Sequence, residues 1–340
     1  MTSWQREDIA ERARHLSPGD RAGALALARD LSGVEVGLGR GDTWGYFGVL
    51  ATLGSIDLTV ARTLEPHLDA LSILDQAGPD VDLADVGADA SSTWGVYAAH
   101  GPGARLDALP QAHGSGWVLD GTKPWCSLAA DLSHAIITAH TGPTSRRAFA
   151  ISLGDGVSPL PGTWVSRGLV DVPSGGLRLD GVAAVPVGED EWYLTRPGFA
   201  WGGIAVAAVW FGAAQALRAR LVANAGRRDP DQIALMHVGQ LDAVLFAAET
   251  SLRHAADVID AGGADGMAGA VLAARVRAVV ADAAETGLTV VGHALGPAPL
   301  TADEEHARRV ADLTVYVRQH HAERDLAALG SLVLESGGAR

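Results

Sequence analysis

Apolar residues recur at three- and four-residue spacing through the first ninety positions, where Ile9, Ala13 and Leu16, then Ala24, Leu25, Leu27, Ala28 and Leu31, fall on helical faces. A second run, from about Asp42 to Leu74, carries Leu50, Leu53, Ile56, Leu58, Val60, Leu64, Leu68 and Leu71. It predicts two helices joined at Gly54-Ser55, with Pro66 as a kink in the second. Beyond Ser91 the pattern shortens to Trp94–Tyr97, Trp117–Asp120, Ala135–Ala139, Ala148–Ile151 and Leu177–Leu179, separated by Gly, Pro, Ser and Asp clusters. Such runs predict a small antiparallel barrel or sandwich ending near Val187. After Pro197 helical spacing returns over about 200–225, 231–261, 265–295 and 303–335, broken at Gly226–Pro230, Gly262-Gly263 and Gly296-Pro297, and predicts a four-helix bundle. The order gives an α+β chain in three units: an N-terminal helical domain over 1–90, a middle β domain over 91–190 and a C-terminal helical bundle over 196–335.

Charge narrows the function. The 26 Lys+Arg residues against 40 Asp+Glu leave a net charge of −14, which repels phosphate backbones and anionic lipid, so neither nucleic acid nor membrane is an expected partner. The uncharged run Phe199–Leu217 is rich in Ala, Gly, Val and Trp and contains Gln215, which reads as a buried bundle helix rather than a membrane span. Cys126 stands alone and can form no internal disulfide; with a polar start lacking an export signal, it places the chain in a reducing cytoplasm. Lys123 is the only lysine among the 26 basic residues, most of the positive charge being arginine.

The segment Gly114–Ala139, GSGWVLDGTKPWCSLAADLSHAIITA, resembles the middle-domain signature of the acyl-CoA dehydrogenase superfamily, a strand ending W-x-L-x-G-x-K followed by an aromatic, a small residue and a hydroxyl. Gly168-Leu169, Leu177–Val182 and Val185-Pro186 resemble the later β strands of that family, and Gly212–Leu217 its first long bundle helix. The resemblance covers Trp94 to about Leu329 and implies an acyl-CoA dehydrogenase-like fold.

It also implies a cofactor, FAD, with Trp125, Cys126 and Ser127 against the flavin ring and the hydroxyl at its reactive N5 edge. An indole beside a hydroxyl on a rigid strand end suits that task independently, although Trp125 also reads as a core residue and Ser127 as a turn residue. The stretch Tyr97–Arg105, with His100, lies where relatives carry a Thr-Glu-Pro-x-x-Gly-Ser-Asp loop at the flavin and the substrate entrance; part of its glycine is kept and its threonine, serine and aspartate are not. Arg227 and Arg228 stand where relatives place an arginine on the FAD pyrophosphate of a neighbouring subunit, without the accompanying Phe-Gly, and the later glycine loop is reduced to Val291–Gly296.

Relatives abstract a proton from an acyl thioester with a glutamate, and neither of its two usual positions holds a carboxylate here: one falls on His320, the other near Gly202. A neutral imidazole can take that proton, so His320 is the expected catalytic base, with Glu323 one helical turn away to orient it. Adjacent histidines diverge by about a hundred degrees on a helix, so His320-His321-x-Glu323 is a poor metal chelate and no metal is expected. His320 and His321 also read as polar residues of a terminal helix.

The expected function is thus an FAD-dependent oxidoreductase of lipid metabolism, taking acyl-CoA or a related acyl thioester through α,β-dehydrogenation with hydride transfer to flavin N5. It would act as a homodimer or homotetramer, with an electron-transfer flavoprotein among its partners. Two alternatives stand beside it: a flavin-dependent monooxygenase of the same superfamily, favoured by the missing glutamate, and a non-catalytic scaffold that binds acyl-CoA or a partner.

Overall fold

The structure, a computed structural model, describes residues 3–31, 37–111, 116–162, 164–227 and 229–337. Helices α1 (Ser3–Arg14), α2 (Arg21–Asp30), α3 (Thr43–Ile56) and α4 (Leu58–Ala77) come first. The joint between α3 and α4 falls at Asp57, whose extended backbone ends one helix while its carboxylate caps the next, accepting from Thr59 N and Val60 N. Pro66 is accommodated inside α4, which runs unbroken for 20 residues.

Seven strands follow: β1 (Trp94–Tyr97), β2 (Leu106–Pro110), β3 (Trp117–Lys123), β4 (His134–His140), β5 (Arg146–Ser152), β6 (Val157–Pro159) and β7 (Leu177–Val187). Their order β1-β4-β2-β3-β7-β5, with β5 pairing back onto β4, closes five of them into a barrel; β6 pairs with β7 and β1 lies parallel to β4. This pair, with the parallel contact of β2 on β4, qualifies the antiparallel expectation. Both form because the chain reaches β4 only after the β2–β3 hairpin and arrives running the same way as β1 and β2. Leu119, Ile137, Phe149, Ile151 and Leu179 fill the barrel.

Short α5 (Trp192–Thr195) leads into α6 (Pro197–Ala225), α7 (Gln232–Asp260), α8 (Gly266–Leu295), α9 (Ala298–Ala302) and α10 (Glu304–Tyr316). Among the described residues α6 is the one helix long and apolar enough to cross a membrane, and 67% of its apolar window is buried inside the protein. It packs on α3 by close backbone approach. A Cβ at Gly212 would stand 1.8 Å from the Ala51 carbonyl oxygen, and one at Gly54 would stand 2.3 Å from that of Val209, so glycine at both positions sets the contact.

The helix expected over 303–335 is interrupted. After α10 the chain makes one tight turn at Val317–Gln319, passes His320 in extended conformation, and restarts as α11 (Glu323–Gly337) only after Ala322 at φ 46°. No glycine or proline marks this break. Two contacts hold it: Arg277 of α8 donates to the Gln319 carbonyl at 3.0 Å, and Asp325 accepts from His321 N at 3.1 Å.

Candidate active site

Between α4, the barrel edge and the 314–321 segment lies a cleft of about 1050 Å³, walled by Arg62 and Glu65 of α4, Trp125 and Ser127 beyond β3, and Tyr316 and Gln319. Its size suits a cofactor and a substrate together. The Trp125–Ser127 wall is built by backbone. Trp125 and Leu128 both adopt positive φ, 60° and 57°, a conformation unfavourable for bulky residues. It is fixed by Cys126 N donating to the Gly175 carbonyl at 2.7 Å and Leu128 N to that of Pro173 at 2.9 Å. The result is a tryptophan 56% exposed on the cleft wall with a hydroxyl two residues on.

That hydroxyl is embedded in a directed network. Ser174 donates to the Val172 carbonyl at 3.0 Å, which leaves Ser127 to donate to Ser174 at 2.7 Å and to accept from Arg62 Nη2 at 3.2 Å. The other guanidinium nitrogen of Arg62 reaches Glu65 Oε2 at 3.3 Å, and Tyr316 Oη donates to the same oxygen at 3.3 Å. Arg62 also lies 5.6 Å from the Tyr316 ring centroid. Burial pushes the Glu65 carboxyl up to about 7, with the nearby Asp69 charge adding to the rise and Arg62 opposing it. Asp69, one turn further along α4, is raised by burial as well; its Oδ1 has no hydrogen-bond partner, and Arg196 stands 3.9 Å from it. Arg62, Glu65 and Asp69 thus form one charged stripe at i, i+3 and i+7 on a helix otherwise mostly buried.

Sequence reasoning missed this stripe. Its signal was present, since three charged residues at helical spacing from 62 to 69, interleaved with Leu64 and Leu68, make a polar line inside an apolar helix.

The sequence-predicted residues divide. Trp125, Ser127 and His100 line the cleft together. Cys126 faces away, into the barrel core, with Sγ 3.5 Å from the Lys123 carbonyl, and burial drives its thiol up to about 12. Iodoacetamide at pH 8 is therefore expected to label the native protein about 100-fold more slowly than the urea-unfolded chain, as followed by intact mass. His320 is buried off the cleft, where its neighbours Gln319 and His321 form the lining; its Nε2 has no hydrogen-bond partner and lies 4.0 Å from Asp325. Burial lowers the pKa of its imidazole. Glu323 is exposed at the start of α11 and shares no helical turn with His320, because the helix begins only there. The expected His320–Glu323 pair is accordingly not formed, and Asp325 takes the place beside both histidines. Arg227 lines a separate depression with Arg220 and Asn224, and Arg228 lies outside the described residues. Among the described residues no group of three His, Cys, Asp or Glu side chains could hold a metal.

Gly202, the other position where relatives hold a glutamate, sits over Asp69: a Cβ there would lie 3.1 Å from Asp69 Oδ1. The carboxylates of this cleft come from α4. The indole wall, the adjoining hydroxyl and the guanidinium behind it fit a planar heteroaromatic ring with a hydrogen-bonding edge, which is the chemistry of an isoalloxazine.

No protein-family signature and no curated protein sequence matches the chain. Solved structures do. KijD3 in complex with FMN and dTDP-3-amino-2,3,6-trideoxy-4-keto-3-methyl-D-glucose superposes with a TM-score of 0.80 at 20% identity, over 98% of this chain and 92% of that one. Butyryl-CoA dehydrogenase from Megasphaera elsdenii gives 0.77 at 18%, over 98% and 99%. TdsC from Paenibacillus sp. A11-2 with FMN and indole gives 0.77 at 16%, over 97% and 94%. These neighbours belong to the acyl-CoA dehydrogenase superfamily, and this chain has their fold.

Proposed function

We propose that the chain is a flavin-dependent oxidoreductase working in the Trp125–Ser127 cleft, with Glu65 as the group that accepts a proton from the substrate. The observation that carries this reading is a buried carboxyl on the cleft wall, one guanidinium away from the Ser127 hydroxyl, which burial pushes up to about 7. A base poised near neutral pH combines a useful ionised fraction with driving force for proton transfer. Trp125 would hold one face of the flavin ring and Ser127 its hydrogen-bonding edge; when bound, the flavin supplies the two-electron acceptor.

The chain's own residues do the rest. Ionised Glu65 takes the proton at a carboxylate oxygen. Tyr316 and Arg62 hold that carboxylate in place by donating to Oε2, and Arg62 ties it to the Ser127 wall. Trp164, Leu169 and Val317 add apolar lining that limits water around the proton transfer. With a butyryl-CoA dehydrogenase among the neighbours, α,β-dehydrogenation of an acyl thioester is the first assignment, with FAD as cofactor and an electron-transfer flavoprotein as acceptor. The second is a monooxygenase reaction using FMN. It is supported by the FMN complexes among the neighbours and by a dibenzothiophene monooxygenase at 16% identity. Exposed Ile233, Leu235, Met236 and Phe246 on α7 support a homo-oligomer, expected as a light-scattering mass that is a multiple of 35.0 kDa.

The test is the visible spectrum of the purified protein with added FAD and FMN, followed by anaerobic titration with a panel of acyl-CoAs. Flavin binding is expected, weakened about tenfold or more in Trp125→Ala and unchanged in His320→Ala. Bleaching by an acyl-CoA supports dehydrogenation. Bound flavin indifferent to the whole panel moves the assignment to oxygenation, and a protein that binds neither flavin sinks both.

A further inference from the structure

At the end of the cleft marked by His100, the barrel edge gathers cations that no part of the proposed proton chemistry uses. His140 closes β4 and Arg146 opens β5, and the two are register partners across the sheet. His140 also faces Asp107 of β2, and its ring centroid lies 5.9 Å from that of His100 on the loop after β1. Arg146 directs a guanidinium N–H at His100 Nε2 rather than at a carboxylate. Beneath them Lys123 is buried, its Nζ donating to the Thr138 carbonyl at 2.7 Å and to Thr138 Oγ1 at 2.8 Å. The charged neighbours that act on Lys123 are the Cys126 thiol and Arg146, with no carboxylate among them, and burial lowers it to about 8.

A buried ammonium and a guanidinium this close repel one another, and both disfavour protonation of the imidazole beside them. Burial, Lys123 and Arg146 hold His100 below the ordinary histidine range, and burial and Arg105 do the same to His140. The nearby carboxylates already have partners other than the cluster's side chains. Asp107 accepts from Arg105 Nε at 2.8 Å, Glu191 Oε1 accepts from the Arg146 backbone N at 2.7 Å, and Asp190 accepts from Thr141 Oγ1 at 2.9 Å. Meanwhile His140 Nδ1 is buried without a hydrogen-bond partner, a polar atom left open in a site otherwise well bonded. Several convergent donors with surplus positive charge beside a ligand cleft are what a tetrahedral oxyanion requires, and a guanidinium suits phosphate oxygens in particular.

From this arrangement we infer that Lys123, Arg146, His140 and His100 form a binding site for a phosphate-type anion, monoester or diphosphate, carried by a ligand whose remainder lies in the Trp125 cleft. The anion restores the balance the cluster lacks: Arg146 and His100 bind it at the mouth, His140 Nδ1 gains a partner, and Lys123 contributes charge from below. The phosphate could belong to the substrate or to the flavin, and its chemistry is the same in both.

Calorimetric titration of the flavin-free protein with inorganic pyrophosphate at low ionic strength tests the site without flavin or turnover. The inference and the function proposed above therefore fail separately. Binding is expected, weakened at least about tenfold in Arg146→Ala, partly restored in Arg146→Lys, and reduced in His100→Ala, whose exposed side chain can be removed without unfolding the chain. No binding to the parent protein, or equal binding by variants with parental circular dichroism and melting temperature, overturns the inference. The source follows from a second titration. If FMN loading abolishes pyrophosphate binding, and Arg146→Ala erases a preference for FMN over riboflavin, the phosphate is the flavin's. Undiminished pyrophosphate binding by the FMN-loaded protein assigns it to the substrate.

Discussion

Glu65→Gln is expected to slow flavin reduction by about 100- to 10,000-fold while making the protein more stable above neutral pH. The rate loss follows from removing the one cleft carboxyl that titrates near 7, in a change that keeps its size and its contacts with Arg62 and Tyr316. The gain in stability follows from the same burial. The carboxyl titrates near 4.5 when free and near 7 in the folded chain, so between those values the native state holds a proton that the unfolded chain has released. Its contribution is therefore greatest below 4.5 and declines as pH rises through 7, by about 3 kcal/mol for a shift of this size. Glutamine cannot ionise, so the parent and the variant should melt together at pH 5, with the variant a few degrees higher at pH 8. Scanning calorimetry at the two pH values with stopped-flow bleaching reads both effects. A variant that keeps its rate removes Glu65 from the chemistry, and one that loses stability at pH 8 contradicts its burial as a charge.

Arg308→Met is expected to cost about 1–3 kcal/mol, less than breaking a fully buried charge cluster because Asp171 is partly open to water. Among the described residues, Arg308 of α10 is the single cation facing three carboxylates. Its Nη2 donates to Asp171 Oδ2 and Thr59 Oγ1, both at 2.6 Å, and its Nε lies 3.7 Å from both Asp57 and Asp312. Asp57 caps α4, which carries Glu65, and Asp312 accepts the Leu169 N–H at 2.5 Å, which holds the cleft-lining 168–174 loop to α10. Beside that bond the backbones nearly touch: a Cβ at Gly168 would stand 2.0 Å from the Ala311 carbonyl oxygen. Removing the guanidinium leaves three acids confronting one another where α4, the 168–174 loop and α10 meet. Burial already raises Asp312 to about 6, so it is ionised above that pH and protonated below it. The deficit should accordingly be largest above pH 7 and shrink toward pH 5, as urea denaturation at both values would record. A loss independent of pH would mean that packing, and not charge, explains the role of Arg308.

Much of the scaffold was legible from the chain alone because its signals are local. Leu64 and Leu68 on a helical face, the apolar start of Trp117–Lys123 and the helical spacing of Leu241, Leu245 and Leu252 in α7 need only near neighbours to be read. The Trp125–Ser127 wall was legible too, since its aromatic and hydroxyl follow the strand end at Lys123 within four residues. The terminal helix was misread because its break carries no Gly or Pro; Arg277, 42 residues upstream of Gln319, holds the turn.

The sequence by itself determined the elements, their order and one wall of the cleft, since backbone preference and hydrophobic periodicity act over a few residues. Tertiary structure alone decided which titratable groups meet. Arg62 finds Ser127 across 65 residues and Tyr316 finds Glu65 across 251, contacts for which the chain has no short-range pattern. The same packing turns His320 off the cleft and lifts Glu65 toward neutrality, because a carboxyl's proton affinity depends on how far folding removes it from water and on which charges folding sets beside it.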